Sequence, residues 1–395
     1  FFFKQKTAYE LAECDGGAGG CPSGPPVELP RWADLFLLPL VNLSIALLAA
    51  GVVVYFIGQD PWEVITVLVN GAFGSARGVS YTLYYATSFT CTGLAVAVAF
   101  HGGLFNIGGE GQAIMGGLGV GLLALWLSYA LPAWIMLPVL LLAATLFGAL
   151  WAIIPAYLQA YRGSHVVITT IMFNFIAATI LIYLVVNWLK VPGSMALESA
   201  PFADSALLPR MHVMLAQLGL EWPSSPLNAS VLLAVAAAAG TWAFLWRSRA
   251  GYQLRVVGAS ESAARYAGIN PRRYIVLAMA VSGALAGLVG MNEISGVSGR
   301  LMPDYVAGAG FTGIAVALMG RNHPLGIVFA SVLFGALFQG GAEVSFDVPG
   351  FTRDMVLTLQ GLVVLFSGAM AYVSAPWLAR AVAVVLPGVK GTARG

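Results

Sequence analysis

The chain has 395 residues, 59% of them hydrophobic and only 9% charged, with a mean hydropathy of +0.84. A soluble domain carries roughly 25% charged residues, so an ordinary globule and a disordered chain are both excluded. A net charge of +2, from scattered Lys and Arg, offers no basic face for nucleic acid. What remains is a polytopic membrane protein, all-α, with room for roughly eight to ten spans at about 20 apolar residues each. Three cysteines, Cys14, Cys21 and Cys91, contain no CxxC pair and suggest neither a disulfide framework nor a zinc site.

Residues 1–30 differ from the rest: lysines, two cysteines and then a Gly/Pro run, with no apolar stretch that would make a signal peptide. Lys4–Glu10 back-translates as a sequencing adapter read in frame, so this segment is expected to be an assembly artefact or a disordered tail. Apolar runs then place ten spans near 35–57, 80–100, 104–127, 131–158, 164–189, 227–246, 274–293, 309–320, 323–341 and 354–374. The eighth is short enough for a half-helix. Pro61–Asn70 reads as a short helix along the outer interface. Residues 190–226, with five prolines, are too polar to span, and 247–273 form the main basic loop.

An even count puts both termini on one face. Arg31, Arg162, Arg321, Arg380, Lys390, Arg394 and the six basic residues of 247–273 fall on that face. Arg77, Lys190, Arg210, Arg300 and Arg353 fall on the other. Twelve against five makes the first face cytoplasmic. Glycine clusters at Gly116–Gly119 and Gly283–Gly287 predict close helix packing. Thr92–Val98 (TGLAVAV) and Thr312–Leu318 (TGIAVAL) match closely, as an internal repeat or a chance likeness in an Ala/Val-rich chain.

No GxxxxGK[ST], HExxH or GxSxG occurs, which speaks against a P-loop and against the common hydrolase chemistries. No catalytic residue, cofactor or metal site is expected. The densest polar signal is the run from Ala99 to Ala113, where four glycines and His101, Asn106, Glu110 and Gln112 interrupt an apolar region. A carboxylate there faces a cavity or a partner, or it complements the start of the third span as a first-turn charge. The second signal is 246–271, where Ser260 as N-cap, Glu261 in the first turn and Gly268 past the end predict a helix from Glu261 to Ala267. So short a helix must pack, either on its own domain or into a partner.

The segments GLFNIGGEGQ (103–112), TTIMFNFIA (169–177), RAGYQLRVVGASESAARYAGI (249–269), SGALAGLVG (282–290) and GFTGIAVALMGRNHPLGIVFASVLFGAL (310–337) resemble the inner-membrane permeases of bacterial ABC importers. The likeness is to the nucleoside and simple-sugar branch, akin to ribose permeases and more distantly to branched-chain amino-acid permeases. It implies a permease domain over 31–378, a cytoplasmic tail over 379–395 and a location in the bacterial inner membrane. The implied partners are ATP-binding subunits, a second permease (a sister chain or a second copy) and an external lipid-anchored binding protein. Val166 stands where an acidic residue would follow His165 in such permeases.

The resemblance places the coupling contact to the ATP-binding subunit in 260–268. Gly258, Ala259, Glu261, Ala264, Arg265 and Gly268 are the expected contacts. Asn106, Glu110, Gln112, Asn174 and Glu293 are the expected substrate-pathway residues, the scarce groups able to replace the water of a small polar solute. For Asn174 the other reading is a helix–helix hydrogen bond. A secondary transporter driven by an ion gradient is the competing function.

Overall fold

The computed structural model describes residues 37–348, together with 351, 352, 355, 356, 358, 361, 362, 365 and 378. The segments 1–30 and 379–395, both termini and most of the tenth expected span lie outside the described residues. Residues Leu47–Val364 form a compact unit. The described residues hold thirteen α-helices and no strand beyond two isolated bridges.

In chain order these are α1 (Leu38–Ile57), α2 (Pro61–Phe73), α3 (Ala76–His101), α4 (Gly109–Leu127), α5 (Ala133–Arg162) and α6 (Val166–Leu184, continued as a π-turn over Val185–Leu189). Then come α7 (Met211–Ala216), α8 (Ser230–Arg247), α9 (Arg249–Ala259), α10 (Glu261–Tyr266), α11 (Pro271–Gly287, followed by a π-helix over Met291–Ser298), α12 (Ala309–Met319) and α13 (Pro324–Asp347). Seven helices, α3, α4, α5, α6, α8, α11 and α13, are long and apolar enough to cross a membrane. The first and eighth expected spans correspond to shorter apolar helices, over 44–57 and 309–319.

Helix starts follow local chemistry. The Asp60 carboxylate accepts from the Trp62 N–H at 2.8 Å ahead of Pro61, and Ser75 Oγ accepts from the Gly78 N–H at 3.0 Å. Asn270 does the same for Arg272 at 3.1 Å, again with proline in the first turn. Two expectations need correction. The helix predicted at 61–70 reaches Phe73 and packs across α13, where a Cβ on Gly71 would meet Glu343 Cγ at 2.6 Å. The seventh span does not stop at 293 but runs on through the π-helix to Ser298.

Helix α3 is the centre of the bundle: every residue from Ala86 to Ala99 is buried. Some of its hydroxyls are satisfied within the helix, Thr87 donating to the Leu83 carbonyl at 2.8 Å and Thr92 to that of Ser88 at 3.1 Å. The two predicted glycine clusters meet each other. A Cβ on Gly116 would run into the Gly287 backbone, and one on Gly148 into that of Gly283. The two TG-I/L-AVA segments are also neighbours, since Gly93 lies against Val316 and Gly313 against Thr92.

The 190–226 segment is strung along the loop after α11. Ser199 N–H donates to the Leu301 carbonyl at 2.9 Å, Phe202 N–H to Gly299 at 2.8 Å and Leu208 N–H to Ser295 at 3.0 Å. Arg300 pairs with Glu198. These bonds satisfy backbone groups that a proline-rich stretch cannot satisfy internally.

Backbone contact at glycine makes a testable contrast. Gly287→Ala would push a methyl into the Ala144 backbone and should cost about 1–3 kcal/mol. Gly240, in α8, has nothing within 4 Å, so Gly240→Ala should be neutral or stabilise by about 0.5–1 kcal/mol. Thermal unfolding of the detergent-purified protein reads both, and the opposite ranking would contradict this packing.

Candidate functional site

The glycine-rich run between α3 and α4 is a turn built on backbone contact. Gly103 adopts φ +74°, and a Cβ there would lie 3.0 Å from Gly258 Cα on α9. After it, Asn106 Oδ1 accepts from the Gly108 N–H at 2.8 Å, closing the chain towards α4.

Four of the five expected pathway residues gather around this turn, and their side chains are occupied by it. Asn106 and Gln112 form a reciprocal amide pair: Asn106 Nδ2 donates to Gln112 Oε1 at 3.0 Å, and Gln112 Nε2 donates to Asn106 Oδ1 at 3.2 Å. Asn106 Nδ2 also donates to Ser282 Oγ at 2.8 Å, which in turn donates to the Ala95 carbonyl at 2.6 Å. All three side chains are buried. Asn174 Oδ1 accepts from the Gly111 N–H at 2.9 Å, and its Nδ2 donates to the Ile107 carbonyl at 3.0 Å. Glu110 accepts from the Gly308 and Gly310 N–H groups at 2.9 and 2.8 Å, at the start of α12.

The structure thus shows what Asn106, Glu110, Gln112 and Asn174 are bonded to within the chain. In this conformation they satisfy the backbone and side chains of a helix break, work that water cannot do in an apolar interior. Asn174 bridges α6 to the first turn of α4 and to the loop before it, so its removal would strand two backbone groups. Ser282, which sequence reading passed over, completes the cluster; one serine among many small residues gives no signal of its own.

Glu293 lies apart from that turn. It sits on the π-helix over Met291–Ser298 and is only partly buried. It accepts from the Tyr84 hydroxyl, from Ser88 Oγ at 2.7 Å and from Asn292 Nδ2 at 3.2 Å. Asn292 Oδ1 accepts from Asn228 Nδ2 at 2.9 Å and Ser230 Oγ at 2.7 Å, extending the network to the start of α8. Sequence reading found Glu293 alone. The i, i+4 spacing of Tyr84 and Ser88 was the available signal for its partners.

At the opposite end, α9 and α10 form an arm. Ser248 caps α9 through the Gly251 N–H at 3.0 Å, and Ser260 caps α10 through the Ala263 N–H at 3.3 Å. Gly268, at φ +74°, ends α10: its N–H donates to the Arg265 carbonyl at 3.0 Å, and the Ile269 N–H donates to that of Ala264 at 2.9 Å. This is the paired closure that a left-handed glycine permits. Every residue of α10 except Ala264 is exposed, Tyr266 by 95%. Glu261 and Arg265 pair at 3.4 Å across one turn. An open groove beside α10 is lined by Arg265, Gly268, Ile269, Asn270, Pro271 and Arg272.

The expected coupling set therefore divides. Ala259, Glu261, Arg265 and Gly268 face outwards. Ala264 is fully buried against its own chain, and Gly258 packs on the backbone of 101–103. Tyr266 is the exposed residue that sequence reading missed. Trp246, at the end of α8, joins the arm to the bundle, with His101 and His323 at ring distances of 5.3 and 5.2 Å. His323, the residue before α13, has its pKa lowered by burial. Among the described residues no group of three His, Cys, Asp or Glu is placed to hold a metal ion.

Seven long apolar helices, a central helix break and an outward-standing capped arm describe a membrane transport subunit. Residues 78–389 match the family described as branched-chain amino acid transport system / permease component, and the chain belongs to that family. It is an ABC transporter permease and an integral membrane protein, and the ion-coupled carrier is set aside. The chain is 35% identical to the glucose ABC transporter permease protein TsgB13 of Haloferax volcanii, covering 87% of this chain and 89% of that one. It is 35% identical to the guanosine ABC transporter permease protein NupP of Bacillus subtilis, covering 85% and 95%. It is 30% identical to the nucleoside ABC transporter permease protein NupB of Lactococcus lactis, covering 84% and 90%.

The role of Glu110 has a direct test. Glu110→Gln replaces one of two acceptor oxygens by a donor facing an N–H, which should cost about 1–3 kcal/mol in thermal unfolding. Unchanged stability with lost transport would return Glu110 to the solute route.

Proposed function

We propose that this chain is the permease of an ABC importer for a small uncharged sugar or nucleoside, powered by separate ATP-binding subunits that dock on α10. The observation that carries the coupling role is the exposed, doubly capped α10, a rigid protrusion whose one buried side chain, Ala264, anchors it. Helices this short do not persist in water unaided, and caps at both ends are what keep this one formed. The exposed Glu261, Arg265 and Tyr266 together with the adjoining groove are the proposed contact, and Ala259 and Gly268 flank it.

The solute class rests on the relatives, whose names give glucose, guanosine and nucleosides. A second permease, as sister chain or second copy, would complete the channel, and an external binding protein would deliver the solute. In this reading the face carrying residues 247–273 is cytoplasmic, the face carrying 190–226 is external, and both termini lie inside. The tenth span and the tail belong to the same proposal.

Two measurements test it. Single cysteines at 200–220 should react with an impermeant label from outside the cell and those at 255–265 only from inside. Reaction of both from one side would defeat the topology. In the assembled transporter, Arg265→Glu and Tyr266→Ala should each lower ATP hydrolysis stimulated by loaded binding protein by about tenfold. Their thermal stability should stay within about 0.5 kcal/mol, as for other surface substitutions. Full stimulated hydrolysis in both variants would remove the coupling assignment.

A further inference from the structure

Helix α3 changes character along its length. From Ala86 to Ala99 it is wholly buried, whereas Tyr81, Leu83, Tyr84 and Tyr85 keep part of their surface open. Ser80, Tyr84 and Ser88, spaced i, i+4 and i+8, share one face and span about 12 Å of the helix axis. Each rung of this ladder meets a polar group from elsewhere. Ser80 Oγ accepts from Trp222 Nε1 of the 190–226 segment at 2.7 Å. Tyr84 and Ser88 both donate to the Glu293 carboxylate. Aromatic rings flank the ladder: Tyr85 lies 5.0 Å from Tyr84 and 5.9 Å from Phe338, and Arg77 sits over Tyr81.

We infer that this polar cluster, with Trp222 at one end and Glu293 at the other, is a binding subsite for an uncharged, hydroxyl-bearing ring. In it the Glu293 carboxylate accepts the solute's hydroxyls in place of those of Tyr84 and Ser88. The inference rests on the permease reading above and deepens it. A carboxylate is an acceptor only, and its hydroxyl partners on α3 are of the same chemical kind as a polyol, so exchange preserves the bonding of the carboxylate. An anionic solute would meet that charge unscreened. Aromatic side chains offer faces to the apolar side of a sugar or to a base, as they do in other nucleotide-binding grooves. The Asn106–Gln112–Asn174 cluster differs, because its bonds run to the backbone of the helix break at Ile107, Gly108 and Gly111.

The test uses the complete transporter in proteoliposomes, with guanosine, glucose and their monodeoxy forms as probes, each supplied on saturating binding protein. Glu293→Gln should lower uptake of the parent solute by about tenfold. For the monodeoxy form lacking the engaged hydroxyl, wild type and variant should agree within about threefold. If Glu293→Gln fails to assemble, Tyr84→Phe keeps the ring and frees one acceptor. It should then change the wild-type ratio of parent to monodeoxy uptake by at least about threefold. Equal losses on every probe, or an unchanged ratio, would make the cluster structural and overturn the subsite while leaving the permease reading intact. Wild-type transport of none of these probes would overturn the solute class first, and the subsite with it.

Discussion

The Glu110 carboxylate lies between two helix starts, and the centre of the bundle is arranged around it. It belongs to the first turn of α4, and its two oxygens accept from the N–H groups of Gly308 and Gly310 at the start of α12. Both helix ends carry partial positive charge, so one anion serves both. The approach is possible because Gly310 has no side chain; a Cβ there would overlap the Glu110 backbone. With that junction fixed, the remaining backbone groups of the break fall to Asn106 and Asn174. In an apolar interior each orphaned N–H or carbonyl costs several kcal/mol, which accounts for where this chain spends its few polar side chains.

Helix α3 links the two functional ends. One end lies under Gly258 of the arm, through the turn at 101–103, and the other half carries Tyr84 and Ser88 against Glu293. Its buried stretch from Ala86 to Ala99 contains no proline and no unsatisfied hydroxyl that would invite a kink. In the proposed function, a displacement of α10 by ATP-binding subunits reaches the base of α3 through backbone packing at Gly103 and Gly258. No long side chain intervenes to absorb it. The π-helix carrying Glu293 has a weaker internal register than an α-helix, and such turns recur at functional sites.

The signals that were legible in the sequence are local ones. Ser260, Glu261 and Gly268 define α10 to within a residue, because caps and a left-handed glycine act on groups three to five positions away. Asn270-Pro271 and Asp60-Pro61 start helices for the same reason. Apolar runs placed α3, α4, α6 and α8 closely, since length and hydropathy alone make a crossing helix. The two glycine clusters were recognised as contact surfaces, though nothing in them named the other as its partner.

The sequence by itself thus determined the membrane class, the helical segments, the family and the capped arm. The tertiary structure alone decided which partners each buried polar side chain meets. Glu110 finds its partners about 200 positions away, Asn106 meets Ser282 across 176 and Asn174 reaches Gly111 across 63. A buried polar residue either spends its hydrogen bonds on fixed backbone or shares them with groups that can be exchanged. That balance is set by packing between distant helices and leaves no trace in residue type or spacing. Glu293 differs in kind: two of its partners are hydroxyls, the partly open Tyr84 and the buried Ser88, a fact that exists only once α3 and the π-helix are side by side.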